Sequence, residues 1–141
     1  MSVMVVTGAF ATHTTKLYNY YVCPRNFNYE DVEYIAVNYF NELKYIGRVT
    51  SSPIFWNYDG EIHFQENENI DNEIRNDLNQ FRSLLNNGAH LLFILSPILG
   101  GCTCAESLHY QGNGPFVHGH RYFDSLAEML FAHQNTNAIG R

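Results

Sequence analysis

The dipeptide Asp59-Gly60 stands between two short runs of strand-forming residues, Ile54 to Tyr58 and Glu61 to Phe64. A two-residue connection needs positive φ at both positions, which Asp tolerates and Gly adopts freely, so the runs are expected to fold back through a type I′ turn. Upstream, Tyr34 to Phe40 and Leu43 to Val49 form a second β-rich pair broken at Asn41 and Glu42. Leu17 to Val22 reads as an earlier strand stopped at Pro24, which cannot donate to a ladder. Aromatics reach 15%, with ten Tyr and ten Phe, and such rings suit a pleated, half-buried surface.

The period then changes. Ile70, Ile74, Leu78, Phe81, Leu84 and Leu85 line one face of a 3.6-residue repeat, opposite Asp71, Asn72, Arg75, Asn76 and Asn79. A helix over about 70–87 is expected, stopped by Asn87-Gly88. His90 to Leu95 is apolar without alternation, the mark of a strand covered on both faces. Gly100 to Gly114 reads as a loop, Phe116 to Tyr122 as a last strand, and Ser125 with Glu128 as the capping box of a closing helix carrying Leu126, Met129 and Leu130. Residues 1–15 show no sustained period and read as a frayed terminus or an edge strand.

A chain of 141 residues is the size of one compact domain. The expected division is an N-terminal segment over 1–16, one α+β domain over 17–133 and a polar tail over 134–141. No apolar run approaches the roughly 20 residues of a membrane-spanning helix, so no membrane partner is expected. The start lacks the basic flank of a secretory signal, its first base being Lys16, and three cysteines are too few for a disulfide framework. A cytoplasmic location is the expectation.

The formal charge is −6, and seven of the fourteen acids (Asp59, Glu61, Glu66, Glu68, Asp71, Glu73, Asp77) lie between residues 59 and 77 against one base, Arg75. The remainder is balanced, which argues against a basic nucleic-acid footprint. The acidic stretch is itself a candidate surface for a basic protein or a second copy of the chain.

The hairpin segment Tyr34-Ile-Ala-Val-Asn-Tyr-Phe-Asn-Glu-Leu-Lys-Tyr-Ile-Gly-Arg-Val49 is similar to a pair of barrel strands in the PUA-like superfamily, which includes EVE and ASCH domains. Arg121-Tyr-Phe-Asp-Ser-Leu-Ala-Glu-Met-Leu130 resembles the closing helix of some members. The resemblance covers roughly residues 17–133 and implies a fold class of α+β, a small, mixed, partly open β-barrel with two flanking helices. It also implies a concave face that in the family typically holds a nucleotide or modified base. The acidic stretch departs from what an RNA-binding member usually shows.

Rings stack on bases, and Arg stacks or pairs with phosphate, so Trp56, Tyr58, Tyr39, Arg48 and Arg121 are the candidate binding residues. The ordinary alternative for each ring is core or sheet surface. Cys102, Cys104, His118 and His120 have the ligand types of structural zinc, although Cys-x-Cys is tighter than the usual spacing. The same four residues, with Asp124, could serve a cysteine enzyme. The leading expectation is a non-catalytic binding module for a nucleotide, modified base or nucleic acid, with no catalytic residue and no cofactor. A small zinc-dependent or cysteine enzyme and an acidic interaction domain are the alternatives.

Overall fold

The computed structural model describes residues 2–24, 32–39, 42–65, 69–100 and 121–139. Its strands are β1 (Ser2–Thr7), β2 (Tyr20–Pro24), β3 (Val32–Tyr39), β4 (Glu42–Ser51), β5 (Ile54–Tyr58), β6 (Glu61–Phe64), β7 (Gly88–Leu99) and β8 (Arg121–Phe123). Its helices are α1 (Ala9–Tyr18), α2 (Asn72–Gln80) and α3 (Leu126–Ile139), with a 3₁₀ turn at Arg82–Leu84. The chain is therefore α+β, with one mixed eight-stranded sheet in the order β6-β5-β7-β4-β3-β1-β8 and β2 paired to β7 off that path. Among the described residues the sheet does not close on itself, and three helices replace the expected two.

Both expected hairpins form. Asp59 and Gly60 take φ of 52° and 91°, which only a type I′ turn requires, and Phe55 pairs with Phe64, Trp56 with His63 and Tyr58 with Glu61. β3 and β4 pair from Tyr34 with Arg48 to Tyr39 with Glu42, with a register shift after Val37.

The first eighteen residues differ from expectation. β1 is not frayed and not an edge: it lies between β3, to which it is parallel, and β8. Gly8, at φ 118°, turns the chain directly into α1, and Asn19 closes that helix in the left-handed conformation at φ 56°. Phe10 to Thr15 are all buried. Burial overrides the weak helix propensity of three threonines, whose hydroxyls bond back to their own helix: Thr12 to Gly8 O at 2.8 Å and Thr15 to Ala11 O at 2.7 Å.

The long strand β7 organises the sheet. Along one edge it pairs first with β5, from Asn57 opposite Gly88 to Ile54 opposite Leu91, and then with β4, from Ser51 opposite Ile94 to Ile46 opposite Leu99. The register carries across the joint at Pro53, whose carbonyl accepts from Leu92 N at 2.9 Å, so β4 and β5 behave as one bent arm. On the other edge, β2 pairs from Pro24 opposite His90 to Tyr20 opposite Ile94. That two-sided cover explains the unalternating sequence.

Side-chain alternation sorts the core. Met4, Val6, Ala11, Tyr21, Cys23, Ile35, Val37, Tyr45, Phe93 and Leu95 meet on one face, beneath α1. On the opposite face, Tyr20, Val22, Phe55 and Leu92 pack against Ile70, Ile74, Leu78 and Leu85 of the α2 region. Further along it, Val3, Val5, Ala36 and Ile46 pack against Met129 of α3. The helix expected over 70–87 divides into α2 and the 3₁₀ turn, with Asp71 as N-cap accepting from Glu73 N at 2.8 Å. Ser125 Oγ likewise accepts from Glu128 N at 3.2 Å. α3 runs on to Ile139 through what the sequence suggests is a polar tail.

Candidate functional site

The candidate ligand-binding rings of β5 lie on the face turned away from α2. Phe55 and Asn57 point toward the α2 region, where Phe55 is fully buried and Asn57 donates to Leu85 O at 3.0 Å. Alternation then sends Trp56 and Tyr58 to the other face. Trp56 stands half-buried, with His63 opposite it on β6 and Ala89 opposite it on β7. Tyr58 is 57% exposed, and its ring lies 5.6 Å from that of His63 at 48°. The result is a small patch of three flat rings, with one hairpin holding all of them.

The remaining candidates lie elsewhere. Arg48 pairs with Tyr34 and Ser96, and Ser96 falls on the face of β7 opposite to Leu95, so Arg48 and Trp56 project from opposite faces. Arg121 pairs with Val5 on β8, across β3 and β1 from the β4–β5 arm that carries Trp56. Its guanidinium lies 5.5 Å from the Phe123 ring centre. Tyr39 ends β3 opposite Glu42. Tyr58 thus stands with Trp56, while Arg48, Arg121 and Tyr39 do not join them. Cys102, Cys104, His118 and His120 lie outside the described residues, and among the described residues no three His, Cys, Asp or Glu side chains gather to hold a metal.

A second cluster went unseen in the sequence. Asp77 of α2 is buried, and its carboxylate accepts from the hydroxyl of Tyr20 and from His13 Nε2 at 3.0 Å. Three elements, α1, β2 and α2, are thereby tied at one carboxylate. The signal was available: Asp77 falls three residues after Ile74 and one before Leu78, inside the apolar stripe of α2. A carboxylate on a buried face needs partners, because an unpaired charge there is strongly disfavoured. Burial, reinforced by the neighbouring Asp77 charge, pushes the Tyr20 phenol far above its ordinary value, so it stays protonated as the donor.

Nδ1 of His13 is buried and without a partner among the described residues. The rings of Phe81 at 5.1 Å, Tyr18 at 5.9 Å and Phe10 at 6.4 Å surround the imidazole. An Asp-His pair suits nucleophilic catalysis only when the free nitrogen faces a hydroxyl or thiol that a substrate can reach. Among the described residues, the threonine hydroxyls of α1 are spent on helix carbonyls, and the cluster ties α1, β2 and α2 together. A cleft of about 360 Å³ lined by Leu17, Tyr18, Glu73, Asn76, Asp77 and Gln80 opens beside it.

No helix among the described residues is long and apolar enough to cross a membrane. Comparison of the chain with protein-family models, with curated proteins and with solved structures gives no match.

Proposed function

We propose that the chain is a non-catalytic binding module that takes a flat, uncharged heteroaromatic ligand, a nucleobase or modified base, on the β5–β6 face. The observation that carries this reading is the shared projection of Trp56, Tyr58 and His63 from a hairpin whose other face is anchored under α2. Base–aromatic stacking is worth about 1–3 kcal/mol per base, and two or three rings held by a rigid turn lose little freedom on binding. Asp59 and Glu61 border the patch, and Arg48 and Arg121 lie too far off to neutralise a phosphate bound there. A base or nucleoside therefore fits better than a polyphosphate or a nucleic-acid backbone. A partly open, PUA-like barrel with a base-holding surface is the fold-level form of the same proposal.

Trp56 is the sole tryptophan, so its emission reports on this face alone. Titration with nucleosides should quench it saturably, more strongly than titration with the matching triphosphates. Trp56→Phe and Tyr58→Ala should weaken binding, followed by calorimetry, while Arg121→Ala leaves it unchanged. A flat response to all nucleosides and free bases would overturn the proposal.

A further inference from the structure

β6 is the last strand of the sheet, paired among the described residues only with β5. A two-residue turn makes the flanking pair, Tyr58 and Glu61, a hydrogen-bonded pair, and such pairs alternate along an antiparallel ladder. Trp56 with His63 is then the next bonded pair. The amides and carbonyls of Ile62 and Phe64 consequently point away from β5, toward the open edge. Beside that edge runs a cleft of about 480 Å³ between β6 and the α2 region, lined by Asp59, Gly60, Glu61, Ile62, His63, Asn79 and Arg82.

Geometry at an open edge invites another strand, and charge selects which one. Glu61 is exposed on one side of β6, with Asp59 at the turn, while half-buried Ile62 and Phe64 mark the other side. Of the nearby bases, Arg82 lines the α2 side of the cleft, and Arg75 is engaged, its guanidinium 4.6 Å from the Phe64 ring centre and its Nε donating to Ile70 O at 3.3 Å. A second copy of the chain would bring the exposed Asp59 and Glu61 of each copy together at the joined edges, which like-charge repulsion disfavours. We propose that the open edge of β6 receives an extended basic segment of a partner protein, which adds a strand to the sheet through Ile62 and Phe64. Its Lys or Arg side chains alternate with apolar ones, the basic set facing Glu61 and the apolar set facing Ile62 and Phe64. This edge adjoins the stacking face at Trp56 and shares its Glu61 border, but neither proposal needs the other.

The test uses the full chain and a capped peptide of alternating Lys and Val. Amide resonances of Ile62 and Phe64 should shift on titration and gain protection from hydrogen exchange, while those of His63 move less. Ile62→Pro removes an edge donor that β5 does not use, so the hairpin should persist while affinity falls about tenfold or more. Glu61→Lys should weaken the Lys-Val peptide and favour a Glu-Val one. Should Ile62→Pro fail to fold, a peptide N-methylated at alternate amides replaces it, since methylation blocks strand addition and leaves charge intact. Equal binding of the methylated and plain peptides, equal binding of the acidic and basic peptides, unmoved Ile62 and Phe64 amides, or salt-sensitive self-association through β6 would each overturn the proposal.

Discussion

Tyr20→Phe removes one oxygen atom from a fully buried ring and leaves the surrounding apolar packing in place. The loss is the hydrogen bond to the Asp77 carboxylate. Bonds to charged groups contribute about 1.5–3 kcal/mol, and the abandoned oxygen belongs to a buried carboxylate. At roughly 3 °C per kcal/mol for a domain of this size, Tm should fall by about 5–9 °C. Urea unfolding should give the same loss with an unchanged m value. Tyr45→Phe is the internal comparison, because the Tyr45 hydroxyl donates to a neutral acceptor, Asn19 Oδ1, at 3.1 Å. Its loss should be nearer 1 kcal/mol. The phenol of Tyr20 keeps its proton when folded and releases it above about pH 10 when unfolded. The unfolded state then binds fewer protons, so stability falls as pH rises, by up to about 1.4 kcal/mol per pH unit from this group. Tyr20→Phe should flatten that alkaline fall, and Tyr45, also raised by burial, should account for part of the rest. A Tyr20→Phe protein as stable as the parent at neutral pH, with an equally steep alkaline limb, would refute the tie.

Three further outcomes follow from the geometry. A Cβ at Gly47 would sit 2.5 Å from the Tyr45 hydroxyl, so Gly47→Ala should displace the ring, break its bond to Asn19 and destabilise by about 1–3 kcal/mol; an unchanged urea midpoint would count against this packing. Gly60→Ala meets no neighbour within 4 Å but must hold φ 91°, so it should lose about 1 kcal/mol through backbone strain alone, whereas Gly60→Asn should lose less. His90 stacks on Phe55 at 5.0 Å and 8°, and burial holds its imidazole below the ordinary 6.5. The unfolded chain therefore takes up a proton first as pH falls below about 6.5, and the stability that neutral His90 supplies is lost on acidification. Relative to His90→Phe, the parent should lose stability between pH 7 and 5; parallel pH curves for the two proteins would contradict that.

The hairpins and α2 were legible because their signals are local. Asp59-Gly60 dictates a turn whatever surrounds it, and the Ile70, Ile74 and Leu78 spacing needs only one face to bury. α1 was not legible, because Thr12, Thr14 and Thr15 are weak helix formers held in place by burial against elements far along the chain. Pro97 suggested an end to β7, yet the strand continues through it. Leu95 N donates to Asn19 O on the β2 side at 2.9 Å, so the nitrogen of Pro97 points the same way, beyond the last β2 pair. No described strand waits there for a donor, and proline is tolerated. The candidate site was half legible. Alternation groups Trp56 with Tyr58, but nothing within a strand reveals that Arg121 lies on β8, across β3 and β1 from the arm that carries Trp56.

The place of β1 has a consequence for how the molecule can be made. Val5 pairs with Ala36 on one side and with Arg121 on the other, so a chain emerging from the ribosome must hold β1 half-satisfied until Arg121–Phe123 has been synthesised. Until β8 arrives, that apolar margin is open to any neighbouring nascent chain, and assembly of β8 depends on closing the chain from Val5 round to Arg121, a slow non-local pairing.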